Sequence, residues 1–317
     1  MLGRMVCKKV VYNVEPFEYS YKAVTNWIDS GFTYIKGSWA EVHNKDSFES
    51  VTVIIVRLGG MLSEEILRKF PNVECVISAT TGQDHLSLNA ISKKNAQLIT
   101  LKGEEEFLRT IPSTAEHTWA LLLSLIRNVN AAVNHVRNGG WDRDLFKGFQ
   151  LKNKKIGIIG LGRIGEMIAK YAKAFDMEVL YFDPYVKNNN FRRMKSLKEL
   201  MKESDIISIH VHLNNETEKL ISNDLLKSVK KGSYLLNTSR GKILDETEVV
   251  NSLMRGDLAG VGLDVLSEEI NKNIRESELW KAQERYNVII TPHIAGATYD
   301  AMWTCEEFVQ KKYLNKA

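Results

Sequence analysis

The chain has 317 residues, about twice the usual size of one domain. Hydrophobic residues make up 44% and charged residues 26%, with 20 glycines and 5 prolines, which excludes a disordered, collagen-like or low-complexity chain. A net charge of +4 is too small a surplus for a nucleic-acid binder, no apolar run approaches the roughly 20 residues that span a bilayer, and Cys7, Cys75 and Cys305 lack the spacing of a disulfide framework or a zinc site. These features predict a cytoplasmic protein with no membrane or nucleic-acid partner.

In chain order, short β-branched runs at Lys9–Tyr12, Val51–Val56, Cys75–Ser78 and Ala96–Thr100 alternate with helical segments, the pattern of βαβ units around a parallel sheet. Residues 61–70 read as a helix with Ser63 as N-cap before Glu64 and Glu65. The acidic triplet Glu104–Glu106 and Pro112 interrupt this rhythm. A long helix over about 113–138 follows, opened by Ser113 with Glu116 at capping-box spacing and closed at Gly139-Gly140, a candidate connector between two domains. From Lys154 the alternation resumes with more apolar strands at 155–159, 178–182, 205–211, 233–237, 260–264 and 287–291, enough for a complete doubly wound sheet. A last helix at about 298–314 is placed to cross back to the first domain.

The strand at 155–159 runs into Gly160-x-Gly162-x-x-Gly165 and then into a helix. Gly160 permits the tight turn, Gly162 lets the backbone approach a pyrophosphate, and Gly165 lets helix pack on strand, while the helix N-terminus, including Arg163 and Ile164, offers its N–H groups to the phosphates. Asp183, 18 residues beyond Gly165 at the end of the next strand, is placed to accept the ribose hydroxyls and so to select NAD. Arg192 and Arg193 leave room for NADPH, and a turn residue before Pro184 is the plainer reading of Asp183.

Three later strands end in polar residues: NTSRG with Thr238 and Arg240, DVLSEE with Asp264 and Glu269, and TPHIAGAT with His293. The carboxyl ends of strands line the ligand crevice of an open parallel sheet. An arginine to bind a carboxylate, a histidine to move a proton and a carboxylate to tune it suffice to reduce a 2-oxo acid. Taken singly, each also reads as a surface ion pair, a solvated charge or a capped loop.

Together with the glycine turn GIIGLGRIG at 157–165, these motifs resemble the D-isomer-specific 2-hydroxyacid dehydrogenase family over about residues 50–310. The resemblance implies two Rossmann-like α/β domains: a discontinuous, flavodoxin-like substrate domain over 1–110 and 296–317, and a doubly wound dinucleotide-binding domain over 111–295, closing on each other near 110 and 295. It implies a hydride transfer between NAD(H) and C2 of a small anionic 2-oxo or 2-hydroxy acid. Arg240 would hold the substrate carboxylate, His293 would serve as general acid or base, and Glu269 would pair with His293 and favour the charged imidazole. Thr238 and Asp264 would join the cofactor site, with Asp264 on the nicotinamide carboxamide. Backbone N–H groups at Thr81 and Gly82, in the loop ATTGQDH, would receive the substrate carboxylate, a structural turn being the alternative. The segment 116–150 resembles the family's dimerisation region, so a homodimer is expected. An NAD(H)-sensing interaction protein on the same fold, or a related dehydrogenase of an unusual substrate, is the rival reading.

Three departures from the family pattern stand out: Ile270 after Glu269 and His212 in the strand around 205–215, where proline is usual, and the acidic stretch at 102–110. The pair His210 and His212 invites a metal, but no further ligand follows at suitable spacing, and none is expected.

Overall fold

A computed structural model of the chain describes residues 9–269 and 274–315, so Cys7 and Ile270 lie outside the described residues. The chain divides after Thr110 and again after Gly296 into two compact units, the first made of the N-terminal 110 residues with the C-terminal segment from Ala297. Among the described residues no helix is long and apolar enough to cross a membrane.

The first unit is built on five parallel strands: β1 (Val10–Asn13), β2 (Thr33–Lys36), β3 (Val51–Ile55), β4 (Cys75–Ile77) and β5 (Gln97–Ile99). Their order is β2-β1-β3-β4-β5, the flavodoxin-like winding. Strand β2 is the one the sequence did not announce. Its side chains are exposed or half-buried, as befits an edge strand, so it lacks the apolar run that marks its neighbours. The helix Glu64–Arg68 starts as expected, with Ser63 accepting from the backbone N–H of Ile66 at 3.2 Å.

The final helix, Tyr299–Leu314, is tied into this unit by buried charge as well as by packing. Glu306, 1% exposed, pairs with Arg57 at the end of β3 and accepts from the backbone N–H of Ser20 at 2.7 Å. Burial pushes the Glu306 carboxyl up, with Arg57 pulling the other way. The acidic stretch resolves here too. Glu104 pairs with Lys312, Phe107 stacks on Phe308 with centroids 3.9 Å apart, and Glu105 and Glu106 are exposed, so the triplet is partly paired and partly solvated.

The second unit carries seven parallel strands: β6 (Lys155–Ile159), β7 (Glu178–Phe182), β8 (Arg192–Arg193), β9 (Ile206–Ile209), β10 (Ser233–Asn237), β11 (Leu258–Leu263) and β12 (Val288–Ile290). The order β12-β11-β10-β9-β6-β7-β8 is a doubly wound sheet whose direction of winding switches between β6 and β9. Both faces are covered. Ile156, Ile158 and Leu236 pack on one side, and Ile159, Ile207 and Leu263 on the other, which is why these strands read as continuous apolar runs and not as alternating ones. The two-residue edge strand β8 is too short to leave a signal of its own.

The expected helix over 113–138 is two helices, Ser113–Ile126 and Val129–Arg137. Asn128 breaks it, in the left-handed region at φ 53°, where asparagine is among the few tolerated side chains. The expected cap at Ser113 gives way to Pro112, which occupies the N-cap position without a side-chain hydrogen bond. Ser113 is instead buried in the first turn.

Candidate active site

The glycine turn stands at the winding switch of the second sheet. Gly160 has φ +88°, and a Cβ there would lie 2.6 Å from the carbonyl oxygen of His210 at the end of β9, so both conformation and space demand glycine. A Cβ on Gly162 would meet nothing within 4 Å. Gly162 is also the N-cap of the helix Arg163–Ala174 and supplies no side chain to cap its first turn. Gly165 packs so tightly that a Cβ would approach the Gly160 oxygen to 2.2 Å. Ile164, half-buried, packs against the core, and the Arg163 guanidinium donates to the Ile111 carbonyl at 3.0 Å.

Asp183 closes this turn from the side. Its Oδ2 accepts from the backbone N–H of Leu161 at 2.9 Å, and its Oδ1 from those of Tyr185 and Val186 at 2.8 Å each. Of the two neighbouring arginines, Arg192 forms a fork with Glu203 at 2.9 Å, and Arg193 stays beside Asp183 and donates to its backbone carbonyl at 2.7 Å. An open anion cradle beside a fixed, mostly buried carboxylate fits a dinucleotide with a free ribose hydroxyl pair.

Across the switch, His210 is half-buried, with its Nε2 2.8 Å from Ser208 Oγ, while His212 is exposed. Burial among protein atoms pushes the His210 imidazole down to about 3. Among the described residues no group of three or more metal-ligating side chains comes together.

Arg240 sits on the turn after β10. Asn237, fully buried, holds that turn by donating from Nδ2 to the Arg240 carbonyl at 2.9 Å and accepting from Ser239 N–H at 3.0 Å. Thr238 is buried with its hydroxyl 2.7 Å from that of Thr118. Gly241 lets this turn reach the next loop, since a Cβ there would lie 2.0 Å from the backbone carbon of Leu266. The Arg240 turn and the Glu269 loop are thereby packed backbone to backbone.

Glu269 and His293 meet: Oε1 lies 2.7 Å from Nδ1, with side chains 26% and 27% exposed. The second oxygen of Glu269 accepts from the backbone N–H of Leu266 at 3.2 Å. His293 has φ +55°, a strained conformation for a histidine that persists only where its surroundings fix it. Asp264 supplies those surroundings. Its carbonyl accepts from His293 N–H at 2.8 Å, its Oδ1 from Ile294 N–H at 2.9 Å and its Oδ2 from Ala295 N–H at 2.7 Å.

Asp264 is only 1% exposed, with its carboxylate enclosed by its own loop and by Thr291 and His117. Burial pushes its carboxyl up, but hydrogen bonds from His117, Thr291 and the two backbone N–H groups outweigh that and hold it below the usual range. Neither His117 nor Thr291 was singled out by the sequence, because they lie 174 residues apart and belong to no shared motif.

Thr81 and Gly82 belong to the first unit, in the loop after β4. That loop is braced internally: Thr80 Oγ1 donates to the Gly82 carbonyl at 2.8 Å, and Ser78 Oγ lies 3.0 Å from both Thr80 Oγ1 and His85 Nε2.

The family profile for the NAD-binding domain of D-isomer-specific 2-hydroxyacid dehydrogenases matches residues 119–295, more than half of the chain. The chain belongs to this family. Among its relatives, the glyoxylate reductase of Pyrococcus horikoshii is 34% identical over 277 residues, covering 84% of this chain and 80% of that one. The D-3-phosphoglycerate dehydrogenase of Bacillus subtilis is 30% identical over 279 residues, 86% of this chain and 51% of that one. Among solved structures, the D-lactate dehydrogenase of Aquifex aeolicus, complexed with NAD and lactic acid, superposes with a TM-score of 0.78 at 28% identity, covering 97% of this chain and 95% of that one. The protein is therefore an NAD-dependent D-2-hydroxyacid dehydrogenase with two parallel-sheet α/β domains.

Proposed function

We propose that this dehydrogenase interconverts a small 2-oxo acid and its D-2-hydroxy acid, with His293 as the proton carrier and Arg240 as the carboxylate ligand. The contact between His293 Nδ1 and Glu269 Oε1 at 2.7 Å carries the reading. A carboxylate only accepts, so Nδ1 is the protonated donor and Nε2 is the nitrogen left to exchange a proton with substrate oxygen. Bound NAD(H) supplies or accepts the hydride. The glycine turn holds the pyrophosphate, through Gly160, Gly162, Gly165 and the amides of Arg163 and Ile164, and Asp183 takes the ribose.

Arg240, its backbone held by Asn237 and its Nη1 donating to the Ser239 carbonyl at 2.7 Å, is the residue assigned to the substrate carboxylate. In the same proposal the N–H groups at Thr81 and Gly82 also take that carboxylate, and Thr238 lies with the nicotinamide end of the cofactor. The test is oxidation of NADH with glyoxylate, hydroxypyruvate, pyruvate and longer 2-oxo acids, with NADPH in parallel. Turnover of at least one small acid with NADH preferred is expected. NADH binding without turnover of any would overturn the reading and favour a sensing role.

The helix Val129–Arg137 has no buried residue, and Val129, Val133, Val136, Trp141, Leu145 and Phe149 are all exposed, Trp141 by 90%. So much apolar surface on one segment marks an association face, and a homodimer across it is the proposal. Light scattering is expected to give a dimer for the parent protein and a monomer or weakened dimer for Trp141→Glu with Val133→Glu. A monomeric parent would remove the dimer from the account. The same reading assigns the enzyme to the cytoplasm, supported by Cys75 as a buried free thiol.

A further inference from the structure

We propose that His117 is a positioning residue for His293: its Nε2–H, relayed through the Thr291 hydroxyl, orients the buried Asp264 carboxylate that clamps the left-handed loop at 293–295. The inference rests on the reading of His293 as proton carrier and adds to it a residue from the helix Ser113–Ile126.

The direction of each hydrogen bond follows from the donors available. Thr291 Oγ1 lies 2.5 Å from Asp264 Oδ1 and 3.3 Å from the Leu263 carbonyl. A carboxylate can only accept, and the shorter contact is to the charged oxygen, so the single hydroxyl proton of Thr291 points at Asp264. The lone pairs of Thr291 Oγ1 then face His117 Nε2 at 2.9 Å, which must be the protonated nitrogen. The same Nε2 stands 3.4 Å from Asp264 Oδ1, close enough to add electrostatic hold on the carboxylate.

The elements explain why these three groups meet. The helix Ser113–Ile126 packs over the ends of β11 and β12, Asp264 follows β11, and Thr291 follows β12. His117 lies in the second turn of that helix and drops between the two strand ends, with its side chain 20% exposed.

Asp264 has little freedom left once its outer side is fixed. Its Oδ1 and Oδ2 receive successive N–H groups from Ile294 and Ala295, and its carbonyl receives that of His293. Three consecutive amides are thus bound to one residue, and the middle of that clamp is a carboxylate whose rotation would release two of them. The His117 and Thr291 donors oppose that rotation. Without them, the strained φ of +55° at His293 loses its support and the imidazole is displaced from its place beside Glu269.

The experiment compares the parent with His117→Phe, which keeps size but has no donor, His117→Gln, whose amide N–H can replace Nε2–H, and Thr291→Val, which breaks the relay in its middle. Hydrogen exchange of the segment 291–296, measured without cofactor or substrate, is expected to quicken about tenfold in His117→Phe and Thr291→Val and to stay within about twofold of the parent in His117→Gln. Turnover is expected to fall about tenfold in the first two variants and recover in His117→Gln, with the NADH dissociation constant within about twofold throughout. Unchanged exchange in His117→Phe and Thr291→Val, or His117→Gln as fast as His117→Phe, overturns the proposal. A parent that turns over no 2-oxo acid would instead refute the role of His293, and the exchange data would still decide whether His117 holds the loop.

Discussion

His293→Ala is expected to lower turnover of the 2-oxo acid by about 10²–10⁴-fold, the usual contribution of a placed general acid or base, while NADH binds with a dissociation constant within about twofold of the parent. The separation follows from the geometry. The glycine turn follows β6 and Asp183 follows β7, whereas His293 follows β12 at the far edge of the same sheet. Steady-state kinetics with the best substrate, paired with quenching of protein fluorescence by NADH, would read both quantities. Glu269→Gln is expected to fall less far, because the amide oxygen can still accept from Nδ1. Parental turnover in His293→Ala would end the assignment.

Gly162→Asp is expected to separate stability from cofactor binding in opposite directions. The residue has φ −78° and ψ −160°, which any side chain adopts, and open space where the Cβ would stand. Aspartate is among the better N-cap residues, exceeding glycine by a few tenths of a kcal/mol. Thermal unfolding is therefore expected at the parental temperature or slightly above it. The new carboxylate stands at the helix N-terminus that the pyrophosphate needs, and like charges at a few ångströms cost on the order of 2–4 kcal/mol near a protein surface. NADH affinity is expected to drop about 30–1000-fold, as read by calorimetry. A variant that binds NADH like the parent would place the pyrophosphate elsewhere.

The strand runs of the second sheet were legible because both its faces are covered: 155–159, 178–182 and 233–237 match the observed strands at both ends. Strands β2 and β8 were not, since edge strands with Thr33, Lys36, Arg192 and Arg193 carry no apolar run. The break at Asn128 hid inside an otherwise helical pattern, a single left-handed residue being a local choice that periodicity does not register. In the site, the pairing of Glu269 with His293 was expected from their motifs. The contacts of Asp264 with Thr291 and His117 were not, because what a carboxylate binds depends on which other strand ends arrive beside it. His117 shows the same limit: nothing in the helix that carries it points to Thr291 until β12 is in place.

The state of the two His293 ring nitrogens tests the central claim most directly. ¹⁵N spectra of the imidazole at alkaline pH, in the parent and in Glu269→Gln, would assign the neutral tautomer. The account predicts the proton on Nδ1, held by Glu269, with Nε2 bare and open to the substrate. A proton resident on Nε2, with Nδ1 bare against the Glu269 carboxylate, would contradict it.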